Sequence, residues 1–212
     1  MNAEMPKSAA PQDGPMAGRK SVFSHMGICC FDLKKMEDFY TRVIGMQVTD
    51  RGLAGPDRDR PILFMTAEGY DHHQLVLASG RTEGEILDTP VIGGSFGTAI
   101  FQISFRIDSL PTLRAFYQRF KDEGMTHVIP RNHGNAWSLY TRDPEGNGLE
   151  LFVDTPWFTH QPCGEPLDLS KSDDEIYKLT EELCRKRPDF EPFDDWRARM
   201  KDAIVKAQAR LF

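Results

Sequence analysis

The 212-residue chain has 40% hydrophobic and 27% charged residues, a composition typical of a globular protein with a sizeable core. A formal net charge of −6 without a basic stripe argues against nucleic acid as a partner. No apolar run approaches the roughly 18 residues of a membrane helix, and residues 1–20 lack the apolar centre of a secretory signal. We therefore expect a disordered arm over 1–20, a cytoplasmic location and no membrane partner. The four cysteines form no CxxC pair, which favours reduced thiols.

The first unit predicted from the hydrophobic pattern has the order β-α-β-β-β. Residues 22–31 are mostly apolar and predict a strand, and apolar residues at helical spacing predict a helix over 33–44. Asp32 is a plausible N-cap of this helix and Gly45 a plausible stop. The polar stretch RGLAGPDRDRP predicts a turn. Further strands are predicted over 46–50, 62–67 and 73–78.

A second β-α-β-β-β unit follows a Gly-rich connection over 79–97. A shift of 77 residues places Met36 on Leu113, Phe39 on Phe116 and Tyr40 on Tyr117, so the two units are copies of one motif. The predicted elements of the second unit are a strand over 101–107, a helix over 110–123, and strands over 127–130, 137–141 and 149–153.

The repeat predicts an α+β fold with a C-terminal extension. Two βαβββ modules, 21–80 and 98–157, are expected to form a curled mixed sheet around a cleft. Residues 158–212 are expected to hold a Pro-rich segment and helices over 175–186 and 193–211. Apolar residues of these helices could face the core or another subunit, so we expect a homo-oligomer, most simply a dimer. They are Leu179, Leu183, Trp196, Met200 and Ile204.

Polar side chains recur at equivalent places in the two units. The shift of 77 places His25 on Gln102 and His73 on Glu150. Along the strand, Gln102 shares its face with Ser104 and Arg106, while the alternate residues are apolar and are expected to lie under the helix. Glu150 shares its face with Phe152, and a carboxylate in such a place needs a cation or strong donors.

The stretches SHMGICCFDLKKMEDFYTRVIGM and DPEGNGLELFVD resemble the vicinal oxygen chelate superfamily, and the resemblance covers residues 22–157. That superfamily includes glyoxalase I, type I extradiol dioxygenases, and fosfomycin and bleomycin resistance proteins. The resemblance implies a divalent metal on His25, Gln102 and Glu150, most simply Fe(2+), with Mn(2+), Ni(2+) or Zn(2+) as alternatives. It is closest to the extradiol branch.

In that branch the expected catalytic residues fall on His73, His133 and Tyr140. The implied reaction is ring cleavage of a catechol-type aromatic diol by dioxygen. The diol chelates the metal, His73 or His133 transfers a proton, and Tyr140 donates to a substrate oxygen. The expected partners are therefore a small aromatic diol and dioxygen. Candidates for an apolar lining are Phe64, Phe101, Trp137 and Phe152.

The extradiol pattern has His where this chain has Gln102. Gln at a ligand position is found in glyoxalase I, which however has Glu where this chain has His73. The third ligand is thus left open between Gln102 and His73. Two further functions stay open: a glyoxalase-type lyase or isomerase that uses no oxygen, and a metal-free binding or resistance protein for a small aromatic. His127 and His160 are taken as structural.

Overall fold

The computed structural model describes residues 23–81, 84 and 102–209. The predicted arm over 1–20 and most of the predicted connection over 79–97 lie outside the described residues. The elements of the first module are β1 (Met26–Cys30), α1 (Leu33–Asp38), a π-helical continuation of α1 (Phe39–Ile44), β2 (Gln47–Ala54), β3 (Arg60–Thr66) and β4 (Leu75–Ser79).

The second module repeats this order and is followed by the extension. The second module contains β5 (Ile103–Arg106), α2 (Leu110–Asp122), β6 (Ile129–Asn132), β7 (Ala136–Arg142) and β8 (Gly148–Asp154). The extension contains β9 (Trp157–Phe158), β10 (Glu165–Pro166), α3 (Asp173–Arg185), β11 (Glu191–Pro192) and α4 (Phe193–Gln208).

The strands form two main mixed sheets, which confirms the α+β class. The first has the order β1-β4-β3-β2 and the second β10-β6-β7-β8-β5, and a small third sheet pairs β11 with β9. In each module the first strand runs parallel to the last, β1 beside β4 and β5 beside β8. The strands of the first module form the first sheet, and those of the second module form most of the second. Part of the predicted polar turn is strand, since Arg51–Ala54 pairs with β3.

Capping residues at equivalent places start the two module helices. Asp32 accepts a hydrogen bond from the Lys35 backbone N at 3.0 Å, and Ser109 accepts one from the Thr112 backbone N at 3.3 Å. These side chains satisfy backbone donors that a first helical turn leaves free. Gly45 ends the first helix at φ 95°, a conformation that Gly adopts without steric cost. The 77-residue shift therefore holds from β1 to the start of each helix.

The apolar phase of the second sheet faces α2, as the alternation predicted. Ile103 on β5 and the buried residues Leu149 and Leu151 on β8 belong to the same core as Leu113 and Phe120 of α2. The opposite phase carries Gln102, Ser104 and Arg106 from β5 and its entrance. The second sheet therefore has one face buried under a helix and one polar face, which we call the polar face.

The strand register shows that the 77-residue shift does not extend to β4 and β8. Met26 pairs with Leu75 in the first module, whereas the equivalent Ile103 pairs with Leu149 in the second. The shift between β4 and β8 is therefore 74 residues, and the position equivalent to Glu150 is Val76. The expected match of His73 with Glu150 is wrong. The loops and hairpins between the strands differ in length in the two modules, so the number of residues between equivalent positions changes along the chain. A single shift of 77 residues therefore does not align the last strands.

Hydrogen bonds join the two modules at the turn that precedes β8. The Tyr40 hydroxyl of the first module donates to Asp143 Oδ2 at 3.0 Å, and the Asp32 backbone N donates to Glu145 Oε1 at 2.8 Å. Tyr40, Asp143 and Glu145 are all buried. The turn DPEGNG thus contributes to the joint between the modules as well as to the hairpin.

The extension packs against the second module through α3. Thr180, which is fully buried, accepts hydrogen bonds from Trp137 Nε1 at 2.8 Å and Asn132 Nδ2 at 2.9 Å. The buried residues of α3 are Ile176, Thr180 and Cys184, whereas Leu179 is 47% exposed. In α4, Ile204 is 40% exposed. No helix within the described residues is long and apolar enough to span a membrane.

Candidate active site

His25 and His73 lie side by side at the entrance to β1 and β4. Their ring centroids are 4.4 Å apart. His25 is exposed and lies one residue before β1, while His73 is half-buried and precedes β4. The Phe64 ring lies 5.1 Å from the His73 ring. The structure therefore brings these two predicted site residues together, as what we call the His pair.

His72 holds the His pair from its outer side. His72 Nδ1 lies 2.9 Å from His73 Nδ1, and His72 Nε2 lies 2.9 Å from Asp50 Oδ2. Burial, followed by the neighbouring His25 and His72, lowers the pKa of His73. A lowered pKa keeps this imidazole neutral at neutral pH, which is the form that binds metals and accepts protons.

Glu150 receives hydrogen bonds on both of its carboxylate oxygens. Oε2 accepts from Gln102 Nε2 at 2.6 Å and from Ser104 Oγ at 2.7 Å, and Oε1 accepts from the Tyr140 hydroxyl at 2.7 Å. Glu150 is only 8% exposed, so these donors provide the compensation that a buried carboxylate requires. We call Gln102, Ser104, Tyr140 and Glu150 the Glu150 cluster.

His133 extends the Glu150 cluster. Its Nε2 lies 3.0 Å from the Tyr140 hydroxyl, and its Nδ1 is hydrogen-bonded to the Cys163 carbonyl. Burial and the neighbouring Glu150 carboxylate raise the pKa of Tyr140 far above its ordinary value, so Tyr140 keeps its proton. Three residues predicted from the sequence, His133, Tyr140 and Glu150, therefore form one continuous hydrogen-bonded chain on the polar face.

The Tyr140 hydroxyl connects His133 to Glu150. A carbonyl only accepts, so His133 Nδ1 is the donor in its contact with Cys163. The Tyr140 hydroxyl donates to Glu150 Oε1 at 2.7 Å, and its oxygen lies 3.0 Å from His133 Nε2. One hydroxyl therefore bridges an imidazole and a carboxylate, an arrangement suited to passing a proton between them.

His25 belongs to the His pair, and Gln102 and Glu150 belong to the Glu150 cluster. Across the parts of the chain that the structure describes, no three His, Cys, Asp or Glu side chains lie close enough together to hold a metal ion. Gln102 is in contact with Glu150, as a shared site requires, but through its amide nitrogen rather than the oxygen that would bind a metal. Glu150 thus does not complete a three-ligand site with the His pair.

Sequence reasoning missed several groups near these residues. The Cys163 carbonyl, which orients His133, lies in the extension, and no local pattern indicates such a contact. Ser104 could have been found, because it shares a strand face with Gln102. Of the predicted lining residues, Trp137 packs against Tyr177 of α3 with centroids 4.8 Å apart, and Phe101 lies outside the described residues. A cavity of about 480 Å³ between the π-helical segment and the end of α2 contains none of the predicted site residues.

Paired βαβββ modules, each with its own mixed sheet, define the class of fold to which the protein belongs. Residues 22–151 match the model of the Glyoxalase/Bleomycin resistance protein/Dioxygenase superfamily, and the chain belongs to this family.

Two curated relatives come from Rhodococcus globerulus. Biphenyl-2,3-diol 1,2-dioxygenase 2 is 29% identical over 132 residues, and biphenyl-2,3-diol 1,2-dioxygenase 3 is 28% identical over 131 residues. Each match spans 62% of this chain and 62% of the relative's length. A glyoxylase/bleomycin resistance protein/dioxygenase domain from Frankia sp. EAN1pec has a similar fold, with a TM-score of 0.51 and 20% identity over 64% of this chain and 98% of that one.

Proposed function

We propose that the protein is a metal-dependent extradiol-type dioxygenase that cleaves a catechol-type aromatic diol. The observation that carries this proposal is the chain of His133, Tyr140 and Glu150, joined by contacts of 3.0 and 2.7 Å on the polar face. These are three of the six positions implied by the resemblance, and His25 and His73 are two more. The similarity to two biphenyl-2,3-diol dioxygenases supports the same choice of reaction.

The donor types suit a divalent metal. His25 would supply an imidazole nitrogen, Gln102 an amide oxygen and Glu150 a carboxylate oxygen, all of which are donors that a divalent metal accepts. Gln102, whose amide nitrogen is used by Glu150, would have its oxygen available as a weaker ligand. When bound, the ion would supply Lewis acidity and a template for the two diol oxygens.

The residues themselves have separate tasks in this proposal. Tyr140 stays protonated and presents a hydroxyl to a substrate oxygen, and His133 supplies or accepts the proton that passes through it. The neutral His73 imidazole can accept a proton from a diol hydroxyl. The Cys163 carbonyl keeps a proton on His133 Nδ1, so that Nε2 is the atom that exchanges protons.

Oxygen uptake tests the reaction. Protein loaded with Fe(II) without oxygen is mixed with catechol or 2,3-dihydroxybiphenyl and then with air, and we expect oxygen consumption with a yellow ring-fission product. Tyr140→Phe and His133→Gln should each lower the rate by about 10²- to 10⁴-fold, as expected for loss of acid–base catalysis. His160→Gln, at an exposed His paired with Asp189, is the matched control and should keep full activity. No uptake across a panel of catechols refutes the proposal.

Metal binding can be tested apart from activity. If one ion is held by His25, Gln102 and Glu150, His25→Ala and Glu150→Gln should both weaken Fe(II) or Mn(II) binding measured by calorimetry. Gln102→His should strengthen it, because an imidazole is a better ligand than an amide for these ions. If Glu150→Gln binds metal as tightly as the unchanged protein, the ion is not shared between the two groups.

A metal-free binding protein for a small aromatic is the second candidate. It is favoured by the saturated hydrogen bonding of Glu150 and by the separation of the potential ligands among the described residues. In that case catechol should bind with the same affinity before and after treatment with a chelator. His25→Ala should then leave the affinity unchanged, and no oxygen should be consumed.

A further inference from the structure

Two buried polar atoms next to the Glu150 cluster have no hydrogen-bond partner among the described residues. They are Arg131 Nε on β6 and Ser138 Oγ on β7. Ser138 is fully buried, and Arg131 is half-buried. Arg131 and Ser138 are directly opposite each other in the register of β6 and β7. Side chains that pair in this way lie on the same face of a sheet and within reach of one another.

The register places this pair on the polar face beside the candidate site. Ser138 precedes Tyr140 by two residues on β7, and these residues pair with Phe152 and Glu150 on β8. All four side chains therefore share one face. The Arg131 charge is close enough to oppose the rise in the pKa of Tyr140 that burial and Glu150 cause.

Neighbouring carboxylates do not satisfy Arg131. Both Glu150 oxygens are occupied by Gln102, Ser104 and Tyr140. Asp154, the other carboxylate on this side of β8, is paired with Arg106 and Arg197. A buried donor without an acceptor costs free energy comparable to a lost hydrogen bond, so a place with two such groups is suited to a ligand that supplies the acceptor.

We infer that Arg131 and Ser138 form a subsite for an oxyanion of the substrate, and that the substrate is therefore an aromatic vicinal diol with a carboxylate on its ring. The diol part of this inference rests on the proposed function, whereas the carboxylate part rests on the two unpartnered groups. Residues two apart on a strand are separated by about 6.7 Å. A carboxylate bound by Ser138 and a hydroxyl bound by Tyr140 would thus be about as far apart as two substituents on opposite sides of one aromatic ring. That ring would lie beside Phe152.

Binding to the full-length protein without added metal tests the subsite. Calorimetry compares 3,4-dihydroxybenzoate with catechol, and benzoate with benzamide, so that only one member of each pair carries a carboxylate. We expect the carboxylate to bind more tightly in both pairs. Arg131→Met should weaken binding of both carboxylates by about 10- to 100-fold, as expected for a charge-assisted hydrogen bond, and leave catechol unchanged. Ser138→Ala should have a smaller effect in the same direction.

Stability distinguishes a ligand subsite from a structural role. Because Arg131 Nε has no hydrogen-bond partner in the part of the chain that the structure describes, Arg131→Met should unfold at the same temperature as the unchanged protein or higher. A marked fall in the melting temperature of Arg131→Met would show that Arg131 supports the fold. In that case the inference requires that Arg131→Lys, which keeps the charge, still binds the carboxylates more tightly than their uncharged partners. Equal affinities for the acids and their uncharged partners overturn the inference. Absence of oxygen uptake with every diol would refute the proposed function but leave the benzoate result standing.

Discussion

Replacing Tyr140 by Phe should lower the stability of the protein by removing one hydroxyl from the centre of the site. That hydroxyl donates to Glu150 Oε1 at 2.7 Å and contacts His133 Nε2 at 3.0 Å. A hydrogen bond to a charged group contributes roughly 1.5–3 kcal/mol, and the loss leaves one oxygen of a carboxylate that is 8% exposed without this donor. At about 2–4 °C per kcal/mol for a protein of this size, the melting temperature should fall by about 3–12 °C.

The matched control is Tyr117→Phe on α2. The Tyr117 ring packs against the core and lies 4.1 Å below Lys121 Nζ, and these contacts survive the loss of the hydroxyl. The control should therefore change the free energy of unfolding by no more than about 0.5 kcal/mol. Thermal unfolding by circular dichroism measures both variants. A double-mutant cycle of Tyr140→Phe with Glu150→Gln should show coupling of about 1 kcal/mol or more. Equal melting temperatures for the Tyr140 and Tyr117 variants, or strict additivity in the cycle, would refute the hydrogen-bonded chain.

Two further substitutions test how the extension and the site loop are held. Thr180→Val keeps the shape of a fully buried side chain but leaves the donors of Asn132 and Trp137 unpaired. We expect the free energy of unfolding, measured in urea, to fall by about 2–4 kcal/mol. A fall of less than about 1 kcal/mol would contradict the packing of α3 through these hydrogen bonds. Gly134 has φ +75°, and Gly134→Ala would place a Cβ 2.5 Å from Thr159 Cγ2. The substitution should therefore lower the free energy of unfolding by at least about 1–3 kcal/mol and displace the adjacent His133. The control is Gly69→Ala, where nothing lies within 4 Å of the new Cβ. Equal melting temperatures for the Gly134 and Gly69 variants would contradict steric crowding at Gly134.

Local patterns predicted the elements of the fold because these depend on neighbouring residues. The cap at Asp32 and the alternation around Gln102 needed only the sequence of one helix start and one strand. The pairing of β4 and β8 depends on the lengths of the loops and hairpins before them, which explains why Val76, and not His73, is equivalent to Glu150. The side chains were thus predictable as types, but their partners were not.

The same limit applies to the site. His133 and Tyr140 are close because β6 and β7 form a tight hairpin, which the sequence indicates, yet the orientation of His133 depends on the Cys163 carbonyl from the extension. The expected metal site of His25, Gln102 and Glu150 depends on how the two sheets lie relative to each other. The spacing of residues within one strand or helix carries no information about that arrangement. The position of Arg131 opposite Ser138 could be found only from the strand register, since neither residue belongs to the motifs that indicated the family.

The joint between the modules should make stability depend on pH through Asp143. This residue is 4% exposed and accepts four hydrogen bonds, from the Tyr40 hydroxyl, the Asn147 side chain and the backbone N of Glu145 and Asn147. Burial is the main cause that raises the pKa of Asp143, and the donors oppose it. Because the folded-state pKa is higher than that of the unfolded chain, the stabilisation by this group is complete below the unfolded pKa and is lost as the pH rises through the folded pKa.

Tyr40→Phe removes one of the donors that favour the ionised form and should therefore raise the pKa of Asp143 further. The cost should be greatest near neutral pH, about 1.5–3 kcal/mol, and should shrink toward about pH 3, where the carboxyl group is protonated in both states. Urea unfolding of the unchanged protein and the variant from about pH 3 to pH 7 measures this difference. A cost that is constant over that range, or that grows toward low pH, would show that the Tyr40 hydroxyl does not stabilise an ionised Asp143. The hydrogen bond from the Asp32 backbone N to Glu145 Oε1 would then be a polar contact left at this joint between the modules.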